Sequence, residues 1–143
     1  MKRTILITGI PGTGKTWMGD YMAQHHNFTH CDIEATGTPD LDRIEGDVVL
    51  TWGFMPDNSV HINFITELIG KGFKLIWFDG NRPAALREFI KRGTVPEELF
   101  YLQMFRIEQS KIIEKLSPKL VNTFDDHGIF KQPDAILKEV LSN

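Results

Sequence analysis

The chain has 143 residues, of which 41% are apolar and 24% charged, the balance of a globular domain, so disordered and collagen-like chains are excluded. That length builds one core and not two, and residues 1–143 are read as a single domain. Sixteen Lys and Arg against nineteen Asp and Glu leave a net charge of −3, which is not the footprint of a protein built to grip nucleic acid or an anionic membrane.

In chain order, Met1-Lys2-Arg3 opens like a signal peptide, but the apolar stretch behind it breaks at Pro11-Gly12, too early for one. Thr4–Thr8 is predicted as a buried parallel strand, being continuous and apolar. A helix follows from Lys15 to about His25, with Trp17, Met18, Tyr21 and Met22 assigned to one face. Asn27–Cys31 and Asp47–Trp52 are the second and third strands. A helix from near Asn58 to Ile69 stops at Gly70 and Gly72, and Phe73–Phe78 is the fourth strand. Asn81 caps a helix with Pro83 in its first turn that stops at Gly93. Thr94-Val95-Pro96-Glu97 reads as a capping box opening one helix through Leu116, which Ser117-Pro118 ends. Lys119–Thr123 is the fifth strand and Pro133–Leu141 the closing helix. Strands alternating with helices imply right-handed crossovers and a parallel sheet covered on both faces, an α/β architecture. The single cysteine, Cys31, fits a reducing compartment, and no apolar run approaches the roughly 20 residues of a membrane span. The expected location is cytoplasmic.

Between the first strand and first helix stands Gly9-Ile10-Pro11-Gly12-Thr13-Gly14-Lys15-Thr16, a complete G-x-x-x-x-G-K-[ST] motif. Its glycines let the backbone turn with amides pointing inward, a nest for phosphate oxygens. The helix beginning at Lys15 presents free N–H groups and its positive end to the same anion. The Lys15 ammonium reaches the β- and γ-phosphates, and the Thr16 hydroxyl is placed to ligate Mg²⁺. Gly9, Pro11, Gly12, Thr13, Gly14, Lys15 and Thr16 are therefore the expected nucleotide-binding residues.

With this motif almost at its N-terminus and five strands in its length, the chain resembles the P-loop NTPases, and among them the small kinases of the shikimate, gluconate and adenylate kinase type. The resemblance implies a three-layer α/β/α fold with sheet order 2-3-1-4-5, ATP as donor, Mg²⁺, and a mobile arginine-bearing lid. It also implies a carboxylate after the second strand. Asp32 falls there, able to orient the acceptor hydroxyl, take its proton or hold Mg²⁺ through water, with Glu34 behind it as the weaker candidate. Many P-loop proteins end the third strand in Asp, whereas this one ends Leu50-Thr51-Trp52-Gly53, as shikimate-type kinases do. Asp79, closing the fourth strand, is the one strand-end carboxylate of that pattern and a second metal candidate, though a turn acid before Gly80-Asn81 is the plainer reading.

Phosphoryl transfer needs positive charge that closes over the transferring group. Arg92, beside Gly93, and Arg87, five residues earlier, are the candidates, and Lys91–Pro96 is similar to the lid of phage-type polynucleotide kinases. His25, His26, His30, Cys31 and Asp32 lack the spacing of a zinc site. Asp125-Asp126-His127-Gly128 matches a GTPase switch by letters alone, while Thr123–Ile129 is where the resemblance puts contact with the base. The acceptor segment, Ile33–Gly46, carries Glu34, Asp40, Asp42 and Glu45 against Arg43 alone, so a neutral hydroxyl acceptor is expected, with Arg82 or Lys74 the remaining sources of positive charge. Trp52, Phe54 and Met55 are placed at the acceptor cleft, because ligands bind at the carboxyl ends of such strands.

The reading is an ATP- and Mg²⁺-dependent kinase acting on a hydroxyl of a small molecule or nucleoside, in which Lys15, Asp32, Arg92 and Arg87 are catalytic and Thr16, Asp32 and Asp79 are the metal candidates. The alternatives are a kinase of nucleic-acid 5′-hydroxyl ends, disfavoured by the acidic charge, and an ATP-binding switch or partner-binding module with slow hydrolysis.

Overall fold

A computed structural model describes residues 2–93 and 95–143. Five strands form one parallel sheet in the order β2-β3-β1-β4-β5: β1 (Thr4–Gly9), β2 (Thr29–Asp32), β3 (Val48–Thr51), β4 (Lys74–Asp79) and β5 (Lys119–Asn122). Alternation along each central strand sends side chains to two cores. Leu6, Leu50, Leu75 and Trp77 meet α3 (Ser59–Gly70), α4 (Arg82–Lys91) and α5 (Glu97–Ser110) on one face. Ile5, Ile7, Val49, Ile76 and Phe78 meet α1 (Lys15–His25) and α7 (Pro133–Leu141) on the other. The three-layer arrangement and the strand order are those expected.

Local chemistry sets the helix starts. The Asn58 side chain accepts the Val60 and His61 amides at the head of α3, and Asn81 accepts that of Ala84 at the head of α4, which satisfies donors a helix leaves free. Two short elements that the sequence did not announce, α2 (Ile33–Thr36) and a 3₁₀ turn at Leu41–Arg43, fill the segment after β2.

Four expectations change. The second strand begins at Thr29, because Asn27 has φ 60° and cannot continue a strand; Asp32 is thereby its last residue. On α1 only Met18 and Met22 enter the core, while Trp17 is 45% exposed. The long helix to Leu116 is two helices, α5 and α6 (Ile112–Leu116), broken where Lys111 adopts φ 54°, a turn that lets Ile112 into the core. Of the capping box, Thr94 lies outside the described residues, and Pro96 occupies the N-cap position. Among the described residues no helix is long and apolar enough to cross a membrane.

Candidate phosphate-loop site

β1 is buried from Ile5 onward and ends at Gly9, and α1 starts six residues later at Lys15. The loop between them closes on itself: Ile10 donates its amide to the Phe78 carbonyl at 3.1 Å, and the Thr13 hydroxyl donates to the Ile10 carbonyl at 2.8 Å. At Gly12, with φ 79°, a Cβ would lie 2.0 Å from the Ala85 carbonyl of α4, so the motif glycine is required both by conformation and by the neighbouring helix. Lys15 Nζ donates to the same Ile10 carbonyl at 2.9 Å. Burial lowers the Lys15 pKa to about 8; Glu34 and Asp32 pull it up and Arg92 pushes it down. The lysine is thus held at the mouth of the loop, short of full solvation, with two carboxylates and one guanidinium around it.

The first rung of the site joins α1 to β2. The Thr16 hydroxyl donates to Asp32 Oδ2 at 3.1 Å. Two residues further on, Glu34 reaches across to β3 and its Oε1 accepts the Gly53 amide. Gly53 lies so close that a Cβ there would come within 2.5 Å of that oxygen. A hydroxyl and a carboxylate oxygen are the hard donors Mg²⁺ takes, and Mg²⁺ is held by few protein ligands together with phosphate oxygens and water. The set therefore fits that cation: among the described residues no three His, Cys, Asp or Glu converge into an all-protein cage.

Lys15, Thr16 and Glu34 open into a cleft of about 300 Å³ with Phe54 and Met55 on one wall, Phe89 and Arg92 on another, and Leu99, Gln103, Arg106 and Ile107 of α5 opposite. Phe54 and Met55 stand where the sequence put them. Trp52 instead packs with the rings of Phe54, His61 and Phe64. A second cleft opens on the other side of the loop, lined by Gly12, Gly14, Trp17, Glu88, Lys91, Arg92 and Phe130. Trp17 and Phe130 lie tilted at 41° to each other there with ring centroids 5.9 Å apart, and Phe130 stacks on buried Phe124. The residue after β5 that lines this cleft is thus Phe130, just beyond the expected Thr123–Ile129. Asp125 spends its carboxylate on the His127 and Ile129 amides, closing a turn.

Of the two candidate arginines only Arg92 comes to the loop, at the end of α4, where it lines both clefts. Arg87 points the other way and donates to the Gly128 carbonyl at 3.0 Å, tying α4 to the segment after β5. Asp79 also stays apart. It accepts the Gly80 amide at 2.8 Å, pairs with Arg82 at 3.3 Å, and lines a separate hollow with Asn122. Lys74 sits at the opposite end of its strand, donating to the Val140 carbonyl at 2.9 Å. His30 gives both ring nitrogens to Asp20 and Thr51.

Arg106 is the cleft residue that sequence reasoning missed. A signal for it exists: Leu99, Gln103, Arg106 and Ile107 recur at helical spacing, a polar pair on a face otherwise apolar, which is the face turned to the cleft. It forms a loose ion pair with Asp57, 3.9 Å from its Nε, longer than a hydrogen bond.

No family model matches the chain, and no curated protein matches it. Solved structures do. The chain is similar to a gluconokinase from Sinorhizobium meliloti 1021, with TM-score 0.66, 15% identity, and 97% of this chain and 89% of that one covered. It is similar to a sugar kinase from Janibacter sp. HTCC2649, with TM-score 0.65 and 15% identity over 99% and 93% of the two chains. A shikimate kinase from Bacteroides thetaiotaomicron matches with TM-score 0.59 and 16% identity over 96% and 94%. At such identities the likeness is one of fold, and that fold is the one the small P-loop kinases share.

Proposed function

We propose that the chain is a phosphotransferase that uses ATP and Mg²⁺ to phosphorylate a hydroxyl group of a small molecule. The observation that carries this reading is convergence: Lys15, the Thr16–Asp32 pair, Glu34 and Arg92 surround one loop between two clefts. One cleft has the aromatic rings of Trp17 and Phe130 in its lining, against which a base can stack, and the other has the volume of a small acceptor.

Gly9, Pro11, Gly12, Thr13 and Gly14 shape the loop whose amides hold the phosphates. Lys15 supplies charge at the transferring group. Thr16 and Asp32 hold Mg²⁺, which when bound offsets charge on the phosphate oxygens. Arg92, common to both clefts, stands where charge develops during transfer. Arg87 acts at a distance by anchoring α4, the helix that carries Arg92. Asp32 turns its carboxylate to Thr16, whereas Glu34 lines the acceptor cleft, so we assign the metal to Asp32 and the acceptor's proton to Glu34. The cytoplasm, where ATP is available, is the compartment this reading requires.

On the acceptor, our reading of the cleft differs from the expectation drawn from the sequence. The Ile33–Gly46 segment has one cation, but α5 brings Arg106 and Gln103 to the cleft from some sixty residues further along the chain. An acceptor with an anionic group beside its hydroxyl therefore fits better than a neutral one. Arg106→Gln should raise the KM for acidic acceptors about tenfold or more and leave that for their neutral analogues unchanged, which steady-state kinetics on matched pairs will show.

The deciding experiment follows the labelled γ-phosphate of ATP across a panel of hydroxy acids, sugars, nucleosides and oligonucleotide 5′ ends. Transfer to a small hydroxyl compound is expected. Transfer to oligonucleotide ends alone would favour the polynucleotide kinase, and release to water alone the ATP-binding switch.

A further inference from the structure

Behind the Thr16–Asp32 pair lies a second contact between the same two elements. Asp20 stands four residues after Thr16 on α1, one helical turn and about 6 Å along the axis. His30 stands two residues before Asp32 on β2, on the same face and about 6.6 Å away. The two steps match, so the elements face each other in two consecutive rungs: Thr16 with Asp32 at 3.1 Å, and Asp20 Oδ1 with His30 Nδ1 at 2.8 Å. The lower rung continues into the sheet, where His30 Nε2 meets the hydroxyl of Thr51 at 2.7 Å. Thr51 is 1% exposed and pairs in register with Asp32. The His30 side chain is 7% exposed and lies against Gly19, where a Cβ would be 2.4 Å from Nε2. Glycine at 19 is what lets the ring sit between helix and sheet, where both of its nitrogens are engaged as a buried polar ring requires.

We propose that Asp20, His30 and Thr51 form a positioning network that sets the distance between α1 and β2 at which Thr16 and Asp32 hold one divalent cation. The proposal rests on the reading of Thr16 and Asp32 as the metal pair. None of the three residues lines either cleft. Their part is to fix the strand end whose carboxylate would hold the metal, as groups behind a metal ligand commonly do.

The test titrates Mn²⁺ into the ADP-saturated protein, followed by electron paramagnetic resonance, alongside ADP affinity in EDTA. His30→Ala should weaken Mn²⁺ binding about tenfold and leave metal-free ADP affinity unchanged. His30→Asn, whose amide nitrogen replaces Nδ1 and keeps the Asp20 contact, should restore part of the loss. Should His30→Ala not fold, Asp20→Ala truncates an exposed side chain and carries the same expectation. Unchanged Mn²⁺ affinity in these variants overturns the network, and so does an equal fall in both affinities, the mark of a merely structural role. Asp32→Asn separates the two levels. If it leaves Mn²⁺ binding intact, the metal pair itself fails and the network with it; if it weakens Mn²⁺ and the His30 and Asp20 variants do not, the network alone fails.

Discussion

Lys15→Met should make the ligand-free protein more stable while abolishing tight nucleotide binding. The folded chain holds the Lys15 pKa near 8 against an ordinary 10.5, chiefly by burial. A group whose pKa is lowered on folding binds its proton more weakly in the native state, so the protonated lysine destabilises the fold. That cost is fully present below pH 8 and is relieved as pH rises from 8 toward 10.5. The shift corresponds to at most about 3 kcal/mol, less in practice because part of the side chain faces the cleft. Methionine keeps the packing and removes the charge, so thermal unfolding at pH 7 should move up by several degrees. The difference between the two proteins should shrink toward pH 10. Nucleotide affinity should move oppositely, falling about 100-fold or more in the variant. In the unaltered protein it should weaken above pH 8, with proton uptake on binding at that pH, because only the ammonium form meets the phosphates. Calorimetry in buffers of different ionisation heat reads that uptake directly. A variant that loses both stability and affinity would show that Lys15 serves the fold instead.

The second large effect separates the two carboxylates. Glu34→Gln should lower kcat at saturating nucleotide by about 10²- to 10⁴-fold with metal affinity kept, because Glu34 lines the acceptor cleft; its charge also supports the Lys15 ammonium, so nucleotide affinity should fall modestly. Asp32→Asn should weaken Mg²⁺ affinity about 10- to 100-fold, and the lost activity should be partly recovered at high Mg²⁺. A reversed pattern, with Asp32 limiting kcat at saturating metal, would return the acceptor's proton to Asp32.

Most of the fold was legible because its signals are local. An apolar run of five residues, a glycine-rich turn and a lysine opening a helix lie within sixteen residues, and each acts on its neighbours. Asn58 and Asn81 announce their helices for the same reason. The errors occur where the chain does what its neighbours do not dictate: the positive φ at Asn27, the break at Lys111, and Trp17 turning from the core to meet Phe130, a partner more than a hundred residues away.

The same division runs through the site. The phosphate loop and the nearness of Asp32 to it follow from sequence, since a loop must join β1 to α1 and a strand must return beside them. What each charged side chain meets does not. Arg87 and Arg92 share one helix and differ by five residues, yet the Gly128 carbonyl takes the first and the loop receives the second. Asp79 has the sequence setting of a metal ligand, and Arg82 occupies it. Arg106 enters the cleft from a helix that carries no motif. The sequence by itself determined the class of fold and the glycine-rich turn at the head of α1, because those rest on interactions between residues close in the chain. The partners of Thr16, Glu34, Arg87 and His30 were decided only by tertiary structure, because a hydrogen bond depends on a separation of a few ångströms between groups the chain leaves many residues apart.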